Sequence, residues 1–380
     1  MNPHLSRRQV LTTALAAGAA ASLPSAAAAA AAGPSLNELA RRTGRRFGST
    51  VGTGKPGTLT GSFADPGYRD LLAAECGLLV PENELKWGAL RPSADIFTFD
   101  AADRLLAFAR EKNLDVRGHT LLWHHERWLP GWLFSHDFGP SPVQGVEKML
   151  ADHVTRVAGT YKGRITSWDV VNEAVDDDTG ALRETPFTRH VPAEKVLDIA
   201  FHTARQVLPQ GQLVYNDYMS WEPGHEKHRD GVLRLLEGFR KRGTPVDALG
   251  VQSHIMVVEG GPTYDEAGWR RFIDAVVGMG YDLLITEFDE NDKGQTGDIA
   301  ARDKGVADYT RAYLDLMLSY RQMGDVLAWG MVDKYSWLQG LTPRADGKPF
   351  RCSPYDDTFQ PKPLRAAIAA SLRAATPKAG

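Results

Sequence analysis

The chain is poor in cysteine, with only Cys76 and Cys352 in 380 residues. Two thiols so far apart in sequence make neither a disulfide scaffold nor a cysteine metal cluster. Two free thiols are expected, although a closed barrel brings chain ends together and leaves a bridge open. No stretch after residue 33 is apolar for long enough to span a bilayer, which excludes a helical anchor there. Positive charge is not in excess either. Residues 1–32 hold two arginines and no acid, so the remainder carries 42 basic against 47 acidic side chains. That balance argues against a nucleic-acid partner. After Gly33 there is no low-complexity linker, no long charge run and no obvious repeat.

The first 32 residues read as an export signal rather than as part of the fold. Ser6-Arg7-Arg8-Gln9-Val10-Leu11 precedes an uncharged, alanine-rich stretch up to Gly33. A charged start, an apolar middle and a small-residue end in that order describe a twin-arginine signal. The protein is therefore expected to be secreted or periplasmic in a bacterium. Residues 33–380 are expected to form one catalytic domain, since barrels commonly exceed about 250 residues as a single unit.

Short β-rich runs alternate with helix-period runs through that region. Strands are expected over residues 46–53, 77–82, 115–123, 165–173, 212–218, 248–254, 282–289 and 325–333. Helices are expected over 101–112, 143–161, 193–207, 226–242, 264–279, 300–323 and 363–374. Eight alternations predict parallel strands in a single (β/α)8 TIM barrel of the α/β class. Functional residues of such a barrel sit at strand C-termini and in the loops beyond them.

Polar and aromatic residues collect at those positions. Two stretches stand out: Trp168-Asp-Val-Val-Asn172-Glu173 and Ile285-Thr-Glu287-Phe-Asp289. Each ends an apolar, β-branched run with a carboxylate, which is poor packing chemistry because a buried charge must be paired. Two such glutamates equip a chain to cleave a glycosidic bond. One acid protonates the leaving oxygen, and the other carboxylate attacks or activates water. Strict alternation would put Leu283, Ile285 and Glu287 on one strand face, and His119 with Trp123, and Gln252 with His254, on others.

Seven segments together resemble glycoside hydrolase family 10, the β-1,4-xylanases. They are Glu82-Asn83-Glu-Leu-Lys86-Trp87, Arg117-Gly-His119-Thr-Leu-Leu-Trp123-His124, Trp168 to Glu173, Tyr215-Asn-Asp-Tyr218, Gln252-Ser-His254, Ile285 to Asp289 and Trp329 to Trp337. They occur in family order and span nearly all of the region after residue 33. The resemblance implies a retaining endo-β-1,4-xylanase acting on xylan or xylo-oligosaccharides, with no cofactor and no metal. A monomer is expected, although the sequence itself does not give the oligomeric state. It implies Glu173 as acid/base and Glu287 as nucleophile. Asn172 would hold the sugar 2-hydroxyl, His254 would hydrogen-bond the nucleophile, and Gln252 would join that network. Lys86, His119, Trp123, Trp329 and Trp337 would line the sugar site beside the scissile bond. Glu82 and Asn83 would hold the next sugar outward, and Tyr218 would stack near the bond. Rival readings are a β-glycanase on cellulose or mixed-linkage glucan, a silent sugar-binding barrel, and a metal-dependent deacetylase or hydrolase.

Other groups receive blander readings. Asp217 and Asp289 are expected to position their neighbours, Asp333 to anchor the loop bearing Trp337, and Trp168 to pack in the core. His202, His225 and His228 are expected at the surface or in packing. Residues 176–178 and 290–293 are expected in solvated loops at the rim. The run His125-Glu126-Arg127-Trp128-Leu-Pro130-Gly-Trp132 departs from the family pattern, with Glu126 in the place of a common Gln.

Overall fold

The structure, a computed structural model, describes residues 33–257, 263–341 and 343–379. The arginine pair and alanine run of residues 1–32 lie outside the described residues. Nine parallel strands follow one another: β1 (Phe47–Val51), β2 (Leu78–Pro81), β3 (Asp115–Trp123), β4 (Ser167–Asn172), β5 (Gln212–Asp217), β6 (Ala248–Val251), β7 (His254–Met256), β8 (Asp282–Asn291) and β9 (Met323–Ala328). Neighbours pair in sequence order from β1 to β6, and the β1–β9, β8–β9 and β6–β8 pairings close the ring. Helices lie between successive strands except β6 and β7, so the architecture is a (β/α)8 TIM barrel.

The sixth stave is split, where the sequence suggested one strand over 248–254. β6 and β7 both pair with β8, but Val251 meets Ile285 while His254 meets Asp289. The break falls at Gln252–Ser253, where Ser253 has φ 65°. That left-handed backbone cannot continue a ladder. It frees Gln252 to turn toward β4.

Strict alternation also fails in β8. The register with β9 slips between Ile285 and Phe288. Thr286 Oγ1 donates to Asn216 Oδ1 at 2.6 Å, and Glu287 Oε1 accepts from Asn216 Nδ2 at 2.7 Å. Consecutive side chains thus reach the same asparagine. Leu284, not Leu283 or Ile285, packs inside the barrel, with Val214 and Ala248. A bulge adds one residue and re-aims a side chain. Here it turns Glu287 into the barrel. Similar slips occur between His119 and Leu122 and between Asp169 and Val171.

Local signals explain most helix ends. The helix Leu36–Arg41 opens on a reciprocal capping box of Ser35 and Glu38. Pro66–Glu75 starts with Asp65 accepting from Gly67 N and proline in its first turn; both suit helix starts. Glu226–Arg242 stops at Gly243, whose φ of 70° is the left-handed turn glycine permits without strain. The helix expected over 300–323 ends at Met317, and the last strand runs from Met323 to Ala328 rather than over 325–333. One more site needs glycine. A β-carbon on Gly118 would lie 2.1 Å from the Trp168 ring, and Trp168 is fully buried, as expected of a packing residue.

Gly52, Gly54 and Gly57 fit the G-x-G-x-x-G spacing of a phosphate turn, so the sequence alone does not exclude a doubly wound sheet. The structure does. The loop after β1 closes on itself, Gly54 N donating to Thr60 O at 2.8 Å, and Pro66 opens the next α-helix only well beyond it.

Barrel closure is locked at the floor by Arg45, which is 1% exposed. Its guanidinium donates to Met323 O, Thr43 O, Thr376 O and Tyr320 O. Three of those carbonyls lie just past helix C-termini, whose partial negative charge favours a cation. Cys76 and Cys352 are both buried and unbridged. No described helix is long and apolar enough to cross a membrane.

Candidate active site

A cleft of about 530 Å³ opens at the C-terminal ends of the strands. Around it stand Glu82, Asn83, Lys86, His119, Trp123, Glu173, Tyr218, Gln252, His254, Glu287, Trp329 and Trp337. Twelve residues singled out in the sequence thus meet at one cavity. Asn172 does not line it; this side chain is fully buried behind the wall.

Two amides connect the paired glutamates. Glu173 Oε1 accepts from Gln252 Nε2 at 2.9 Å and from Asn172 Nδ2 at 3.2 Å. Asn172 Oδ1 accepts from Asn216 Nδ2 at 2.8 Å and from Gln252 Nε2 at 3.2 Å. Asn216 Nδ2 also reaches Glu287 Oε1 at 2.7 Å. Each carboxylate is therefore tied, through Asn172 and Asn216, into one buried network. Asn216 was not among the residues given a role from the sequence. Its only signal is position, two strands' width from Glu287 at the mouth of β5.

The two glutamates are biased in opposite directions. Burial raises the Glu173 pKa above the ordinary carboxyl value, with the Asp217 and Glu287 charges adding to it. Hydrogen bonds from Gln252 and from Trp123 Nε1, the latter at 2.8 Å, pull the other way and are outweighed. Burial acts on Glu287 too, but His119 and His254 overcome it and hold that carboxyl below its ordinary value. Opposed environments are how one site keeps an acid and a carboxylate side by side. Glu173 also has φ 53°, a conformation costly for a non-glycine residue and found mostly where surrounding structure enforces it.

Each supporting histidine has its own carboxylate. His119 Nδ1 lies 2.9 Å from Asp169 and 3.8 Å from Glu287. Asp169 is in turn gripped by both terminal guanidinium nitrogens of Arg117. His254 Nδ1 lies 2.8 Å from Asp289, and its Nε2 lies 3.5 Å from Glu287. Burial lowers the His254 pKa, but Asp289 and Glu287 raise it more, to about 10. The shortest contact to Glu287 is thus the one from Asn216, not the one from His254.

The cleft walls are aromatic. Trp337 Nε1 donates to Asp289 at 2.6 Å, and Trp329 meets His119 edge-on at 5.3 Å. Tyr218 is fixed by Asp177, which accepts from its hydroxyl at 2.8 Å, and by Arg183 NH2 at 2.7 Å. Lys86 Nζ lies 4.6 Å from the Trp123 ring centre and donates to Asn83 Oδ1 at 2.9 Å. Burial pushes the Lys86 pKa down and the Glu82 pKa up to about 7.

Of the blander readings, the one for residues 290–293 needs correction; the others stand. His225 lines the cleft. His228 is buried with Nε2 3.1 Å from Asp217. Residues 290–293 are not a solvated loop: Glu290 and Asp292 are fully buried, and Asp292 pairs with Arg302. Asp176 and Asp177 pair with Arg183. Glu126 points away from the cleft toward Arg189, 3.6 Å away, while Arg127 and Trp128 of the same turn line it. Asp333 binds Lys362 Nζ at 2.9 Å and Ser353 N at 2.9 Å.

Known proteins match this chain closely. The family model of glycosyl hydrolase family 10 matches residues 35–371. Endo-1,4-beta-xylanase B of Thermotoga neapolitana is 30% identical over 301 residues, covering 79% of this chain and 82% of that protein. Endo-1,4-beta-xylanase 1 of Gibberella zeae is 33% identical over 305 residues, with 79% and 82% covered. The crystal structure of xylanase 10B from Thermotoga petrophila, in complex with xylobiose, superposes with a TM-score of 0.77 at 28% identity, covering 90% of this chain and 97% of that one. Xylanase 10B of Thermotoga maritima gives 0.76 at 28% identity, with 89% and 98% covered. With the barrel, the cleft and a family match over most of its length, the chain belongs to glycosyl hydrolase family 10 and is a glycoside hydrolase.

Proposed function

We propose that the protein is a retaining endo-β-1,4-xylanase in which Glu173 is the acid/base and Glu287 the nucleophile. The observation that carries the assignment is the opposed bias of two glutamates on one cleft, linked by a shared amide network. The names of the relatives and the xylobiose held by the Thermotoga petrophila structure support the substrate class.

In the first step Glu173 gives its proton to the glycosidic oxygen as that bond breaks. Glu287 attacks the anomeric carbon and forms a glycosyl ester. The Glu287 charge is then gone, and with it one of the charges that keeps Glu173 protonated. Glu173 ionises more readily and takes a proton from water. The water oxygen attacks the anomeric carbon, the ester bond breaks, and Glu287 leaves as carboxylate. Two inversions give net retention. A flat, largely neutral sugar chain suits a cleft walled by Trp123, Trp329, Trp337 and Tyr218, whose rings bury C–H faces.

The test is hydrolysis of xylan with the first-formed anomer followed by NMR, set beside hydrolysis of carboxymethylcellulose. The β-anomer should form first, and from xylan. Glu287→Ala should abolish turnover in a folded protein. Glu173→Ala should keep activity on aryl glycosides with good leaving groups and gain rate with azide, giving the β-azide. Substantial turnover by Glu287→Ala, or first formation of the α-anomer, would overturn the assignment. We also propose that residues 1–32 are a twin-arginine export signal and that the rest of the chain is one catalytic domain.

A further inference from the structure

The turn that departs from the family pattern brings to the cleft a cation with no partner among the described residues. His125 opens it, accepting from Arg127 N at Nδ1 (3.2 Å) and from Trp128 N at its carbonyl (3.0 Å). Trp132 closes it, donating through Nε1 to Arg91 O at 3.0 Å. The turn is therefore held at both ends. Trp128 stacks on Trp123, ring centres 4.7 Å apart and planes 21° apart. The Arg127 guanidinium lies over Trp128, 4.8 Å from its centre. Lys86, Trp123, Trp128 and Arg127 thus form a column, and the Trp123 indole at its inner part donates to Glu173.

Arg127 differs from the other cations of this wall. Its guanidinium has no carboxylate oxygen within 4 Å and no hydrogen-bond acceptor among the described residues. The neighbouring acid Glu126 is turned to Arg189. Stacking on an indole orients the planar fork while leaving its edge donors open, and that fork matches a carboxylate with two parallel hydrogen bonds. An unsubstituted xylan chain carries no group that uses a positive fork this way.

We infer that the Arg127–Trp128 turn is a receptor for a carboxylate-bearing branch of the substrate, so the enzyme prefers uronate-substituted xylan chains to neutral ones. This rests on the xylanase reading above. The branch would sit near the bond being cleaved, because the column that carries Arg127 ends at Glu173.

The experiment compares three xylo-oligosaccharides of equal length: one unsubstituted, one carrying a single uronic acid branch, and one with that acid as its methyl ester. The wild-type protein should show about tenfold higher kcat/KM on the acid than on the ester, the size expected of one charge-assisted, two-pronged contact. The preference should reside in KM and shrink in 0.5 M salt. In Arg127→Gln the acid-to-ester ratio should fall to near one. In Arg127→Lys, which keeps the charge and loses the fork, it should fall part of the way. Equal rates on acid and ester by the wild type, or an undiminished ratio in Arg127→Gln, would overturn the inference. Loss of all three activities in the wild type would instead sink the xylanase reading.

Discussion

Asn216 offers the sharpest test of how the two glutamates are held. In Asn216→Ala, Glu287 Oε1 loses its 2.7 Å donor. Asn172 Oδ1 loses a 2.8 Å donor, and the Thr286 hydroxyl loses its 2.6 Å acceptor. Asn216, Asn172 and Thr286 are all buried, as is Glu287. A buried polar group left without a partner costs about 1–3 kcal/mol. Asn172 keeps Gln252, and Glu287 keeps its histidines, so the three losses should not sum fully. A net destabilisation of roughly 2–4 kcal/mol follows. Urea denaturation at neutral pH would measure it as a lower midpoint with an unchanged slope. The pH dependence adds a second reading. The Glu287 pKa is lowered in the folded protein. Such a group contributes stability that is present above its unfolded value, about 4.3, and lost as pH falls through the folded value. The gap between wild type and variant should therefore be widest near neutrality and narrow in acid. The acid limb of kcat/KM should also move to higher pH, since Glu287 would be easier to protonate. A destabilisation below about 1 kcal/mol together with an unmoved acid limb would refute the network as drawn.

His254 gives the opposite sign. Its pKa is raised to about 10, so its contribution is full below about 6.5, its unfolded value, and fades as pH rises through the folded one. His254→Asn should lose more stability relative to wild type at pH 6 than at pH 10, read from urea midpoints; a constant gap would count against the Asp289–His254–Glu287 arrangement. Gly118→Ala should be strongly destabilising, by about 3 kcal/mol or more, because its new carbon would enter the Trp168 ring; a wild-type thermal midpoint would contradict that packing. Replacing Arg7 and Arg8 by lysines should block export while leaving cytoplasmic activity intact. Unchanged activity in the medium or periplasm would remove the twin-arginine reading.

Composition and pattern carried the barrel because alternating periodicities are written in the chain itself. A carboxylate at the end of a β-branched run is likewise visible without coordinates, since burying it makes no sense in packing terms. So Glu173, Glu287 and the aromatic residues near strand ends were legible as a group. Tertiary structure decided what those side chains touch. The bulge that turns Glu287 inward next to Thr286, and the break at Ser253 that aims Gln252 at Glu173, arise from register between strands far apart in sequence. Neither leaves a local signature. Asn216 looks like any asparagine near a strand end until β4, β5 and β8 meet. Arg127 looks like any surface arginine until Trp128 stacks on Trp123. The kinds of chemistry available were set by residue types along the chain, and their protonation, partners and aim were set by neighbours that only folding brings within a few ångströms.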